Sequence, residues 1–239
     1  VHPTEEVDRS DRSASAPQPV LVREGAGTEV RAVALVLHGG KAVNTAPTVA
    51  RQLAVLRLVP VARHLVTAGG RIGLGVWRLR FRYRGWNKDA ADPVTDVRWA
   101  LRQLREHHGD VPIVLVGHSM GGRAALRTAA DPGVVAVLGL APWVPPGEPL
   151  DQLRGRRLLV VHGTRDRMTS NTTSKALVDA VRGDAAEATF VHVRYSGHAM
   201  LRRLPLWNEL TAEFVMHAGL GITPGPRLAQ AIADGDSVL

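Results

Sequence analysis

The chain contains no cysteine. That excludes a disulfide framework, a cysteine-ligated zinc site and a thiolate nucleophile. Lysine is nearly absent too: Lys41, Lys88 and Lys175 are the three, so arginine supplies 27 of the 30 basic residues. Aromatic residues make up only 4% of the chain. No run approaches the roughly 18 uninterrupted apolar residues of a membrane span, and the longest, 134–144, is broken by Pro142. Residues 1–19 hold no apolar run and do not read as a signal peptide. Their polar, Ser/Pro-rich composition predicts a disordered tail. The lack of a membrane span and of a signal peptide predicts a cytoplasmic protein with no membrane partner.

What is present fits a folded enzyme-sized unit. The 239 residues are 45% hydrophobic, with a formal charge of +8 and a pI near 11.0. Length and apolar content predict one domain over 20–239 with a sizeable core. A basic surplus suggests nucleic-acid binding, but the arginine skew fits a coding bias at least as well, and no nucleic-acid partner is expected.

Strand-length apolar runs alternate with helical patterns. Strands are predicted near 31–37, 74–83, 111–116, 134–140, 158–161 and 188–194, and helices near 48–68 (kinked at Pro60), 93–107, 121–130, 172–182 and 200–217. Several strands are apolar throughout. That predicts a mostly parallel sheet with helices on both faces, an α/β class. In such sheets ligands bind beyond the carboxyl ends of the strands. No glycine fingerprint for a nucleotide phosphate and no histidine–acid spacing for a metal occurs, so no cofactor is expected.

After the 111–116 strand comes Gly117-His118-Ser119-Met120-Gly121-Gly122 and then a helix. G-x-S-x-G between a strand and a helix places its serine on a strained turn, hydroxyl outward, as a nucleophile. The same turn aims the Met120 N–H at the reacting centre. With His38-Gly39-Gly40 after an earlier strand, HGTRD at 162–166 and SGH at 196–198, the chain resembles the α/β-hydrolase superfamily over nearly all of residues 30–217.

The resemblance implies an eight-stranded, mostly parallel sheet, its first strands reduced to about 20–24 or missing. It also implies a triad of nucleophile Ser119, acid Asp166 and base His198, with Asp151 and Asp184 the nearest rivals for the acid. His118 is expected to be packed or hydrogen-bonded away from the turn. Oxyanion donors are expected from Met120 and Gly40, or from Lys41 if the loop is shifted by one. The implied activity is a serine hydrolase cleaving a carboxylic ester or thioester through an acyl-enzyme. Acyltransferase or peptidase chemistry, and an inert scaffold binding an anionic partner, are the alternatives.

The 141–155 gap holds four prolines, which predicts a stiff loop with no lid. Trp143 and Trp86 follow strands and are candidate substrate contacts. Arg78, Arg80, Arg82 and Arg84 alternate with apolar residues, which predicts one arginine-lined strand face. They would pair with Asp89, Asp92 and Asp96, or meet an acidic substrate group, with Arg84 nearest the site.

Overall fold

The computed structural model describes residues 16–25 and 29–239. Most of the predicted N-terminal tail thus lies outside the described residues, and 16–19 carry no helix or strand. Eight strands form one sheet: β1 (Val20–Glu24), β2 (Ala32–Leu37), β3 (Leu74–Arg80), β4 (Ile113–His118), β5 (Val134–Leu140), β6 (Arg157–Gly163), β7 (Glu187–Val193) and β8 (Asp236–Val238). Their order is β1-β3-β2-β4-β5-β6-β7-β8. Only β1 runs antiparallel, pairing Val20 with Arg80 of β3. All six β2 residues are buried, as expected of a parallel strand covered on both sides.

The helices are α1 (Leu53–Leu56), α2 (Val59–Gly69), α3 (Asp92–His108), α4 (Met120–Arg127), α5 (Asn171–Val181), α6 (Leu204–Leu220) and α7 (Pro226–Asp234). Alternation along β2 sorts the core into two layers. Ala32, Ala34 and Val36 face α2, α6 and α7. Val33, Leu35 and Leu37 face α3, α4 and α5. Each large side chain so buried is worth about 1.5–3 kcal/mol. The segment Leu53–Ile72 is apolar enough to cross a membrane by composition, at a mean hydropathy of 1.2. Here Val61, Ala62 and Leu65 are spent in the core layer shared with α6.

Several boundaries differ from the sequence reading. The third strand stops at Arg80, because the chain then turns to bridge the loop after β2 at Pro47–Tyr83 and Lys41–Gly85. The four arginines therefore do not share one strand face. Arg78 pairs with Glu24 of β1. Arg82 pairs with Asp92 and Asp96 of α3. Arg84 donates from Nε to the Pro47 carbonyl at 2.9 Å. The last long helix starts at Leu204, four residues later than expected. Pro205 sits in its first turn, where the missing N–H costs nothing. The stretch after Gly219 adds α7 and β8.

Candidate active site

Ser119 sits between β4 and α4 with φ 54° and ψ −116°. A side-chain-bearing residue rarely adopts that conformation, and it lifts the serine out of the strand line. The glycines around it are required by contact. A Cβ on Gly117 would lie 2.3 Å from the Gly121 carbonyl oxygen, and one on Gly121 would lie 2.4 Å from that of Leu37. Strand, turn and helix can approach this closely only without side chains.

The loops after β6 and β7 bring Asp166 and His198 together. They are laced to each other: Thr164 N–H donates to the Val193 carbonyl at 3.0 Å, Arg165 N–H to that of Ser196 at 2.9 Å, and Tyr195 N–H to Thr164 Oγ1 at 2.9 Å. Gly163 permits this, since a Cβ there would meet the Ser196 carbonyl at 2.3 Å. Ser196 then anchors the second loop to α6 by accepting from Trp207 Nε1 at 3.0 Å.

His198 Nδ1 lies 2.9 Å from Asp166 Oδ2. The carboxylate is fully enclosed and also accepts from the N–H groups of Met168 and Thr169 at 2.7 and 3.1 Å and from Thr169 Oγ1 at 2.9 Å. Burial alone would raise its pKa. The hydrogen bonds from His162, His198, Thr169 and Met168 outweigh that and hold it well below the usual carboxylate range. An ionised Asp166 keeps the His198 proton on Nδ1, leaving Nε2 as the basic nitrogen.

His118 is buried, as the sequence reading expected. Its Nε2 lies 2.9 Å from the His198 carbonyl and its ring centroid 4.7 Å from that of His198. Burial lowers its pKa to about 3, so it is neutral and donates to that carbonyl. His118 thus holds the His198 loop against the residue preceding Ser119.

Gly40 packs against Met120: a Cβ on Gly40 would lie 2.4 Å from Met120 Cε and 2.6 Å from the Arg84 carbonyl oxygen. Among the described residues neither the Gly40 nor the Met120 N–H makes a hydrogen bond within the protein. Lys41 differs. Its N–H donates to the Arg84 carbonyl at 2.8 Å and is already engaged. His38 fixes this loop. Its Nδ1 lies 2.7 Å from the Gly39 carbonyl, and its Nε2 accepts from Phe81 N–H at 3.1 Å. Burial lowers its pKa to about 4.

The 141–150 loop contains no helix. Trp143 N–H donates to the Ser119 carbonyl at 3.0 Å, which sets Trp143 beside Ser119. Trp86 is only 3% exposed and belongs to the core, so it does not open onto the site mouth. Both indoles flank the Arg123 guanidinium, at 4.0 Å for Trp86 and 4.6 Å for Trp143. Arg123 and Arg127 in turn bind the buried Glu148. Arg84 is held at Pro47, at the edge of this region.

Three site residues were not legible as such. Thr169 touches Asp166 and lies 3.3 Å from His198 Nδ1. Its signal was the Asp followed by N–H donors two and three positions on, an Asx turn. His162 Nε2 sits 3.1 Å from Asp166 Oδ2; it lay inside the HGTRD motif, where only the acid was singled out. Arg123 had no local signal, because its partners lie on two distant loops. Among the described residues no group of three His, Cys, Asp or Glu is placed to hold a metal ion.

Residues 61–200 match a family model described as an alpha/beta hydrolase domain. No curated protein matches the chain. Among solved structures, it is similar to an α/β serine hydrolase without lid from Xanthomonas campestris, at 19% identity over 83% of this chain and 88% of that one, TM-score 0.60. It is also similar to esterase 2 of Thermogutta terrifontis, at 17% identity over 84% and 89%, TM-score 0.64. A third is an alpha-beta serine hydrolase homologue from Coxiella burnetii, at 21% identity over 82% and 90%, TM-score 0.59. At these identities the likeness is one of fold.

Proposed function

Because the chain belongs to the α/β-hydrolase family, we propose that it is a serine hydrolase cleaving a carboxylic ester or thioester, with Ser119, His198 and Asp166 as its triad. The observation that carries this reading is the 2.9 Å contact of His198 Nδ1 with Asp166 Oδ2, on the loops leaving two neighbouring strands, at the same end of the sheet as a serine with φ 54°. An esterase and a serine hydrolase without lid among the similar folds accord with it.

His198 Nε2 takes the Ser119 proton as Oγ attacks the acyl carbon. The carbonyl electron pair moves to oxygen, where the Gly40 and Met120 N–H groups stabilise it. Collapse expels the alcohol or thiol, which takes the proton from His198 and leaves the acyl group on Ser119. Water then attacks by the same route and frees the acid. Asp166 stays ionised throughout and stabilises the imidazolium. The 141–150 loop carries no lid, so the site is reached from solvent directly.

Ser119→Ala should lower ester turnover by about 10⁶-fold while the far-ultraviolet circular dichroism stays that of the parent. A fluorophosphonate should label the parent at Ser119 and not the variant. Turnover of nitrophenyl esters by the alanine variant at the parental rate would overturn the triad. Product release by water, with no acceptor present, separates hydrolysis from acyl transfer.

A further inference from the structure

Most of the excess positive charge of the described residues sits on one end of the sheet. The segments at the carboxyl ends of the strands, 38–58, 81–91, 141–150, 164–170 and 194–203, hold 11 of the 30 Lys and Arg residues and three of the 22 Asp and Glu residues. The rest of the described residues carries 17 Lys and Arg and 15 Asp and Glu, so these segments hold eight of the ten excess positive charges among the described residues. A coding bias toward arginine would not produce that partition.

The three acids do little to cancel the cations outside. Asp166 is enclosed by the histidines, and Glu148 is enclosed by Arg123 and Arg127. Only Asp89 is exposed. Among the cations, Lys41, Arg51, Arg165, Arg167, Arg202 and Arg203 are exposed, and among the described residues none of these has a carboxylate within 4.0 Å. Apolar groups are interleaved with them: Leu53 is 76% exposed and Leu201 77%. Beside the His198 loop lies a cleft of about 360 Å³ lined by Arg165, Tyr195, Gly197, Met200, Leu201 and Arg202 among others. Arg165 rests 4.9 Å from the Tyr195 ring centroid there.

A rim of one sign around an open catalytic centre raises the local concentration of opposite charge and speeds its capture. Guanidinium groups also match carboxylate and phosphate geometry. We propose that the substrate is an anionic ester or thioester. Its carboxylate or phosphate lies against Arg165 and Arg202 in the cleft beside His198, and the remaining rim steers it in. This rests on the serine-hydrolase reading above.

The test compares mono(4-nitrophenyl) adipate with 4-nitrophenyl hexanoate, acyl chains of equal length that differ in a terminal carboxylate. The adipate ester should be favoured in kcat/KM by about tenfold or more at low salt, and the preference should shrink at about 0.5 M NaCl, where screening is complete within a few ångströms. The Arg165→Gln/Arg202→Gln double variant should bring the low-salt ratio to about twofold or less, and each single variant should fall between. The salt dependence in the unaltered protein tests the inference even if the double variant fails to fold. Equal use of the two esters, or a preference that survives both salt and substitution, overturns it while leaving the hydrolase reading intact. Failure to cleave either ester, with no fluorophosphonate labelling, overturns the hydrolase reading itself. Binding to phosphatidylglycerol vesicles without any preference between the soluble esters would give the face to a lipid surface and overturn the substrate assignment.

Discussion

At the scale of single residues, the histidines around the candidate site have distinct partners. His198 is held by Asp166 at 2.9 Å. His38 and His118 are neutral by burial and spend their ring N–H groups on backbone carbonyls of the two loops that matter, at Gly39 and His198. His162 supplies a second contact to Asp166 from below. Removing it should loosen the carboxylate without abolishing it. His162→Leu should lower kcat for 4-nitrophenyl acetate by roughly tenfold, well short of the ~10⁴ that follows when the triad acid is lost, with KM little changed. Parental kcat in that variant would count against a positioning role.

Elements are where the sequence was most and least legible. G-x-S-x-G located the strand–turn–helix because the chemistry demands those glycines, and the contacts explain why. Gly121→Ala would drive a Cβ into two carbonyl oxygens, at 2.4 and 2.6 Å. Backbone cannot step aside as a flexible side chain can. We expect a loss of about 1–3 kcal/mol or more, read from urea unfolding, together with lost activity. Gly183→Ala, where a Cβ meets nothing within 4 Å, should stay within about 0.5 kcal/mol of the parent. The pairing of Asp166 with His198 was expected from the family resemblance, and the structure places the two 2.9 Å apart. The arginine row misled because period two was carried past Arg80, where tertiary bridges to the loop after β2 end the strand. β8 was invisible, since three residues reading Asp-Ser-Val owe their strand to pairing with β7. The cluster of Glu148 with Arg123 and Arg127 was hidden likewise by sequence distance. Glu148→Ala would leave the Arg123 guanidinium partly buried without its carboxylate, and should cost about 3–5 kcal/mol and free the 141–150 loop beside Ser119. Unchanged unfolding midpoints would remove the ion cluster from the account of that loop.

The whole molecule should respond to acid through the buried histidines. Folded-state pKa values of about 4 for His38 and about 3 for His118 lie below the unfolded value of 6.5. Between those values the unfolded chain binds more protons, so stability falls as pH falls. Their contribution is complete above about pH 6.5 and declines toward pH 4. Asp166 does not offset this, because its depressed pKa makes its own contribution fade only below the ordinary carboxylate range. Urea unfolding at pH 4.5 should therefore show a stability lower than at pH 7 by an amount of the order of 2–5 kcal/mol. A midpoint that holds steady or rises over that interval would contradict the neutral assignment of both rings.

Both ends of the described fold leave it on the same side. β1 runs against its neighbour, so Val20 lies beside Arg80 at that strand's carboxyl end. β8 runs with its neighbour, so Leu239 closes against His192 and Arg194. A purification tag fused after Leu239 would thus start from that side, at one margin of the sheet. An acidic tag there would lie within reach of the cationic rim and compete with an anionic substrate for it. Charge-selectivity assays on this protein accordingly call for tag-free material, or for a tag inserted in the exposed turn around Gly183, at the amino-terminal end of β7.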